Sequence, residues 1–282
     1  MPYRTAFGIL RPPFSAEIEA HALFPFESFT QCLARLDYHR RERGLAVLTG
    51  RIGAGKTTAA RAHVKRLAPS SYLPLYAAVP SGCPNPLKAV VESLMTDLGE
   101  KIHPLNPSRT LQTLYQALRA SHDKGRTPIL QIDEAHNLDD KGLLGFKGFL
   151  NHDMDSHLPM AILLSGAPEL SRTLAQRNLE EIRQRLLFVY TLKGLKREEM
   201  GPYIAARLKA AGCERSLFPP DIIDEMYRHT HGLPRLVNQL ANLCLVAAAT
   251  ANKTQVDSVC LLQALAEMGS TADDAQQERV SL

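Results

Sequence analysis

The strongest constraint on this chain is the stretch from residue 50 to residue 57, which reads Gly-Arg-Ile-Gly-Ala-Gly-Lys-Thr. The apolar run Leu45–Leu48 precedes it and predicts a short buried strand, whereas the alanine-rich residues 58–67 follow it and predict a helix. The glycines let backbone amides point into one concavity, and the helix N-terminus adds partial positive charge to it. The sequence therefore predicts a phosphate-binding P-loop.

This loop predicts binding of a nucleoside triphosphate with Mg²⁺. Lys56 is expected to reach the β- and γ-phosphates, and the Thr57 hydroxyl is expected to bind the metal. A glycine-rich turn with a surface lysine is the alternative, but it would lack the flanking strand and helix. The expected nucleotide-binding residues are Gly50, Arg51, Ile52, Gly53, Ala54, Gly55, Lys56, Thr57 and Thr58.

The rest of the chain alternates strand and helix patterns as far as residue 192, and only helix patterns follow from Lys196 onward. Alternating elements indicate right-handed crossovers and a parallel sheet. We therefore predict an α/β P-loop NTPase core with helices on both faces of its sheet and a C-terminal all-helical lid domain. The expected divisions are a leader packing on the core (1–44), the core (45–195), the lid (196–268) and a disordered tail (269–282).

A second part of the site is predicted where buried strands end. The apolar residues 129–132 are followed by Asp133 and Glu134, and the next predicted strand ends at Ser165. Ligands of open parallel sheets bind at the carboxyl ends of the strands. Asp133 is therefore expected to hold Mg²⁺ and Glu134 to orient an attacking water, which favours hydrolysis over kinase chemistry. Ser165 is either a sensor of the γ-phosphate or an ordinary turn residue.

Three arginines are candidates for contacts with the nucleotide. Arg183 and Arg185 lie just before the last predicted strand, where they could reach a neighbouring subunit's γ-phosphate as arginine fingers, or simply form a solvated helix face. Arg235 opens a lid helix and could couple the lid to hydrolysis.

The amino-acid composition excludes few functional classes of protein. The net charge is +4 and the pI is about 8.8, which permits nucleic-acid binding without arguing for it. Five scattered cysteines form no Cys-x-x-Cys pair and indicate reduced thiols in a cytoplasmic protein. No apolar run is long enough to predict a membrane span or a signal peptide. His152–His157 is interpreted as a polar loop rather than a metal site.

Beyond single motifs, the chain resembles the AAA+ ATPases of the ExeA/MshM kind. The matching stretches are residues 48–58, 132–138, 165–170, 183–185 and the lid signature Gly-Leu-Pro-Arg-Leu-Val-Asn at 232–238. The resemblance implies ATP hydrolysis with Mg²⁺ and assembly into a ring or filament with arginine fingers acting in trans.

Two functional branches share this core. In one, short ATPases similar to TnsC, TniB, IstB and MuB bind double-stranded DNA with ATP and direct a transposase; the bare two-domain length favours this branch. The other assists assembly of a secretion or pilus machine, and a scaffold that binds nucleotide without turnover is a third possibility. Candidate DNA contacts are Lys88, Arg109, Lys141 and Lys147.

Overall fold

A computed structural model describes residues 2–15, 23–103, 106–146 and 158–280. The chain divides into two compact units. Residues 29–192 form one, called here the core unit, and residues 1–28 with 193–282 form the other, called the helical unit.

The core unit contains a five-stranded parallel sheet with helices on both sides, which confirms the predicted fold class. The strands are β1 (Gly44–Thr49), β2 (Tyr72–Ala78), β3 (Thr127–Asp133), β4 (Ala161–Gly166) and β5 (Leu186–Thr191), in the spatial order β2-β3-β4-β1-β5. β1 and β4 are buried along their whole length, whereas burial alternates along the edge strand β5. This is the pattern expected when helices cover both faces of the central strands.

The described helices of the core unit follow the strand-to-strand crossovers. They are α2 (Glu27–Glu42, which begins in the helical unit), α3 (Lys56–Val64), α4 (Pro86–Leu98), α5 (Pro107–Asp123), α6 (Asp140–Gly145), α7 (Glu169–Leu174) and α8 (Glu180–Arg183). Asn85 and Asn106 start α4 and α5, because each side chain accepts a hydrogen bond from the backbone three residues on. α3 begins two residues earlier than the apolar pattern predicts, so Lys56 and Thr57 form its first turn.

The helical unit contains α1 (Pro2–Phe7), α9 (Arg197–Ala210), α10 (Pro220–Thr230), α11 (Pro234–Thr250) and α12 (Ser258–Val280). The backbone of α12 continues past Gly269, where the sequence predicts the end of regular structure.

The described residues 2–15 of the leader pack in the helical unit, whereas the sequence pattern predicts that the leader packs on the core. Its aromatic side chains Tyr3, Phe7 and Phe14 are buried there. The buried Arg207 of α9 holds this segment by donating hydrogen bonds to the carbonyl oxygens of Pro13 (2.7 Å) and Ser15 (2.9 Å).

Candidate functional site

The P-loop lies between β1 and α3, and its glycines have a structural cause. Gly53 and Gly55 have φ angles of 83° and 103°, a left-handed conformation that glycine adopts without strain. A side chain on Gly50 would place its Cβ 2.7 Å from the carbonyl oxygen of Leu192. The loop can therefore curve tightly only with these residues.

Lys56 is the cation of this loop, and it is only 8% exposed. Its Nζ donates a hydrogen bond to the carbonyl oxygen of Gly50 at 2.8 Å and lies 3.5 Å from that of Arg51. The ammonium group thus lies against the curved backbone, as expected for a lysine that accompanies bound phosphates.

Asp133, at the end of β3, joins the P-loop helix to the neighbouring strands. Thr57 Oγ1 donates to its Oδ2 at 3.0 Å, and Ser165 Oγ, near the end of β4, donates to its Oδ1 at 2.6 Å. The Glu134 backbone N–H also donates to Oδ1, at 2.9 Å, and the Tyr76 hydroxyl lies 3.4 Å from Oδ2. The structure therefore brings Thr57, Asp133 and Ser165 together at the carboxyl edge of the sheet.

Glu134 has different surroundings from its neighbour. Its side chain is 52% exposed, whereas Asp133 is 6% exposed as a residue. The backbone of Glu134 is left-handed (φ 54°, ψ 31°), which is uncommon for a residue with a side chain. The carboxylate lies 3.6 Å from Nε2 of His136. One acid is thus held inside the hydrogen-bond network, and the other is open to solvent.

The donor set fits Mg²⁺. The Thr57 hydroxyl and the Asp133 carboxylate are hard oxygen ligands 3.0 Å apart, and Mg²⁺ is usually held by one or two such groups together with waters and substrate phosphates. Within the described ranges, no group of three or more His, Cys, Asp or Glu residues forms a separate metal cluster. The histidines at 152 and 157 lie outside those ranges.

The predicted arginines lie on other elements. Arg183 is exposed on α8 and donates to the carbonyl oxygen of Ala175 at 3.1 Å, and Arg185 is partly buried in the turn before β5. Arg235 is exposed in the first turn of α11, in the helical unit.

The described candidates for DNA contacts lie on three helices of the core unit. Lys88 lies 3.7 Å from Glu92, one turn further along α4. Arg109 and Lys141 are exposed at the starts of α5 and α6. Lys147 lies outside the described residues.

Sequence reasoning did not find Tyr76. It lies on β2, and its hydroxyl approaches Asp133; burial and the Asp133 carboxylate raise the pKa of this tyrosine. Residues 76 and 133 meet because β2 and β3 pair in parallel with Ala78 opposite Asp133. That register cannot be inferred from the strand pattern of either segment alone.

Comparison with known proteins agrees with this geometry. Residues 39–174 match the family described as AAA domain. The chain is 30% identical over 251 residues to General secretion pathway protein A of Aeromonas hydrophila, a match that covers 87% of this chain but only 45% of that protein.

Solved structures share the fold at low identity. Cdc6p from Pyrobaculum aerophilum is similar with a TM-score of 0.65 and 17% identity, over 86% of this chain and 67% of that one. The Aeropyrum pernix ORC2 protein in its ADPNP–ADP complexes gives a TM-score of 0.63 and 16% identity, over 91% and 71% of the two chains.

No helix in the described part of the chain is both long enough and apolar enough to cross a membrane.

Three findings confirm the predicted resemblance: the sheet order, the P-loop with its paired Asp133, and the match over residues 39–174. Residues 39–174 therefore match an AAA domain, and the chain is similar to AAA+ proteins of the P-loop class.

Proposed function

We propose that this protein hydrolyses ATP in a Mg²⁺-dependent reaction at the P-loop. The observation that carries the proposal is the Asp133 carboxylate, bonded at once to Thr57 of the P-loop helix and to Ser165 of the next strand, with the exposed Glu134 beside it. Phosphoryl transfer to water needs positioned charges and an oriented nucleophile, and this arrangement supplies both.

Each group has one task in this scheme. The P-loop amides and Lys56 bind the phosphates, and Thr57 and Asp133 would hold Mg²⁺, which supplies positive charge to the phosphate oxygens. Glu134 accepts a hydrogen bond from the attacking water and orients it. Ser165 donates its one hydroxyl proton to Asp133, and to act as the sensor it would turn that proton from Asp133 to the γ-phosphate.

We further propose that ATP links subunits. Arg183 or Arg185 acts as a finger on the γ-phosphate held by a neighbouring subunit in a ring or filament. Hydrolysis then weakens the contact between subunits. Replacing each arginine by alanine should lower hydrolysis and ATP-dependent assembly together, as measured by phosphate release and sedimentation.

Two substitutions test the ATPase assignment. Lys56→Ala should abolish ATP binding, whereas Glu134→Gln should bind ATP like the parent and hydrolyse it roughly 100-fold more slowly, because a neutral amide orients water poorly. Binding of a fluorescent ATP analogue and phosphate release measure the two effects. Glu169→Gln, at an exposed glutamate of the same unit, is the matched control. A parental rate for Glu134→Gln would remove its assigned role.

At the level of cellular process, we propose that the ATPase assists assembly of a secretion or pilus machine. The support is the 30% identity to General secretion pathway protein A, whose name assigns that protein to secretion. The chain spans less than half of that relative, so the partner must be tested directly. Co-purification with secretin-type envelope components, retained with Glu134→Gln and lost with Lys56→Ala, is the expected result.

The second candidate, from the sequence resemblance, is an ATP-dependent DNA-binding regulator that selects targets for a transposase. The exposed Arg109 and Lys141 would contribute phosphate contacts. Co-sedimentation with plasmid DNA should then require ATP rather than ADP and weaken as salt rises. Charge reversal at both positions should reduce the co-sedimentation at any given salt concentration, whereas absence of binding at low salt would exclude this candidate.

Phosphate release with and without DNA also tests the scaffold alternative, which predicts no turnover in either case.

A further inference from the structure

The turn after Asp133 brings His136 against Glu134. Residues Ala135–Asn137 form a single 3₁₀ turn, which begins from the left-handed backbone of Glu134. Its far end is fixed, because the Asn137 side chain donates from Nδ2 to the carbonyl oxygen of Val79 at 3.1 Å. The His136 ring, with 26% of the side chain exposed, consequently lies beside the Glu134 carboxylate, with Nε2 and Oε2 3.6 Å apart.

The other nitrogen of this ring has a defined partner. The backbone N–H of Ala167 donates to Nδ1 of His136 at 3.2 Å. A ring nitrogen that accepts a hydrogen bond carries no proton, so the neutral imidazole carries its proton on Nε2, the atom that faces Glu134. The 3.6 Å separation is longer than a hydrogen bond, but a small rotation of the exposed Glu134 side chain would complete one.

The last residues of β4 and Ala167, which follows the strand, therefore contact the surroundings of both acids. Ser165 donates directly to Asp133, and Ala167, two residues later, donates to His136. The residue between them is Gly166, where an added Cβ would lie 3.0 Å from the backbone nitrogen of His136 and 3.3 Å from its Nδ1. Only a residue without a side chain allows the two segments to approach this closely.

We propose that His136 is a positioning residue for Glu134. With Nδ1 held by Ala167, the Nε2–H group sets the orientation of the Glu134 carboxylate, so the segment from Ser165 to Ala167, which holds Asp133, also positions the group that orients water. A displacement of this segment by bound nucleotide would move both acids together. This inference rests on the proposed hydrolysis by Glu134 and adds to it the residue that positions Glu134.

Two substitutions separate the two contacts of the ring. In His136→Asn, the side-chain oxygen can still accept from Ala167, but no donor remains at the Nε2 position. In His136→Gln, the longer side chain places an amide donor near that position. We expect His136→Asn to lower kcat roughly 10- to 100-fold, the range typical for partners that orient a catalytic group, with unchanged KM, ATP affinity and melting temperature. His136→Gln should retain a clearly higher kcat.

A double-mutant cycle with Glu134→Gln distinguishes this inference from the proposed function. If His136 acts through Glu134, His136→Asn should cause no further loss in the Glu134→Gln background. The inference is overturned if His136→Asn keeps the parental kcat, or if His136→Asn and His136→Gln lower kcat equally. It is also overturned if His136→Asn lowers kcat by the same factor with Glu134 and with Gln at position 134. A parental rate for Glu134→Gln alone would instead overturn the proposed role of Glu134, and the inference with it.

Discussion

At the scale of single residues, the site depends on two adjacent acids with opposite environments. Asp133 is nearly inaccessible and accepts from Thr57, Ser165 and the backbone of Glu134. Glu134 is half exposed beside it. Buried carboxylates need such partners because an unpaired charge out of water is costly, whereas a group that handles water has to remain accessible to it.

The close approach at Gly50 makes a prediction about the P-loop. In Gly50→Ala, the new Cβ would meet the Leu192 carbonyl oxygen at 2.7 Å, and this neighbour is backbone, so the loop must shift. We expect ATP affinity to fall at least tenfold and the protein to lose about 1–3 kcal/mol of stability, the usual effect of overpacking. Gly201→Ala, inside α9 with the nearest atom at 3.9 Å, is the control: it should leave ATP binding unchanged and raise stability slightly, because alanine is favoured over glycine in a helix interior by about 1 kcal/mol.

Sequence was a good guide to residues whose positions are set by local geometry. The P-loop, Asp133 and Ser165 were predictable, because a strand followed by a polar residue fixes where that residue lies in a parallel sheet. Tyr76 was not, since its approach to Asp133 depends on the register of two strands separated by two helices. The contacts of His136 with Ala167 and Glu134 likewise depend on the folded arrangement of separate segments.

At the scale of secondary-structure elements, two buried histidines lie in α2 and α3. His39 Nε2 is 3.0 Å from the Gly44 carbonyl oxygen at the start of β1. Among the described residues, neither ring nitrogen of His63 has a hydrogen-bond partner, and its Nδ1 lies 3.8 Å from Asp37 Oδ1. Burial lowers the pKa of both histidines from 6.5 to about 4.

These pKa values predict a loss of stability in mild acid. The folded state keeps both rings neutral, but below pH 6.5 the unfolded chain binds protons that the folded chain does not. The free energy of unfolding should therefore fall as the pH drops from about 6.5 to about 4, and these two groups contribute no further change below that. Between pH 7 and pH 5 the expected loss is roughly 2 kcal/mol for each histidine.

His63→Leu tests the contribution of one ring. This variant removes two buried nitrogens without partners, so it should be at least as stable as the parent at pH 7 and should lose about half as much stability by pH 5. Urea unfolding at the two pH values measures the effect, and the same replacement at the exposed His229 is the control. An unchanged difference between pH 7 and pH 5 would contradict the prediction.

At the scale of the whole molecule, the boundary between the two units lies after Ser28, within the predicted leader, and not at the start of the first strand. The alternation of patterns predicted the sheet and the helical unit, because each segment buries its own apolar face. It did not predict where the leader packs, because the apolar residues within 1–15 have no regular period that specifies a partner. The packing of the leader depends on hydrogen bonds from Arg207, which lies far from it in the sequence.

Arg207→Lys should loosen the leader. A lysine ammonium group cannot reproduce the two hydrogen bonds that the guanidinium donates to Pro13 and Ser15, and burial already lowers the pKa of Arg207. We expect a loss of about 2–4 kcal/mol and faster proteolysis within the first 28 residues, measured by urea unfolding and limited digestion. Arg215→Lys, at an exposed residue that donates to Thr254, should leave both unchanged. Equal digestion of the two variants would show that Arg207 does not hold the leader.

The left-handed backbone at Glu134 sets the proposed ATP hydrolysis against thermal stability. Such a conformation costs a residue with a side chain about 1 kcal/mol, and glycine adopts it freely. Glu134→Gly should therefore melt at a higher temperature than Glu134→Gln while hydrolysing ATP no faster. Selection for heat resistance alone would thus drive this position toward an inert residue, and only continued demand for turnover would keep a carboxylate there.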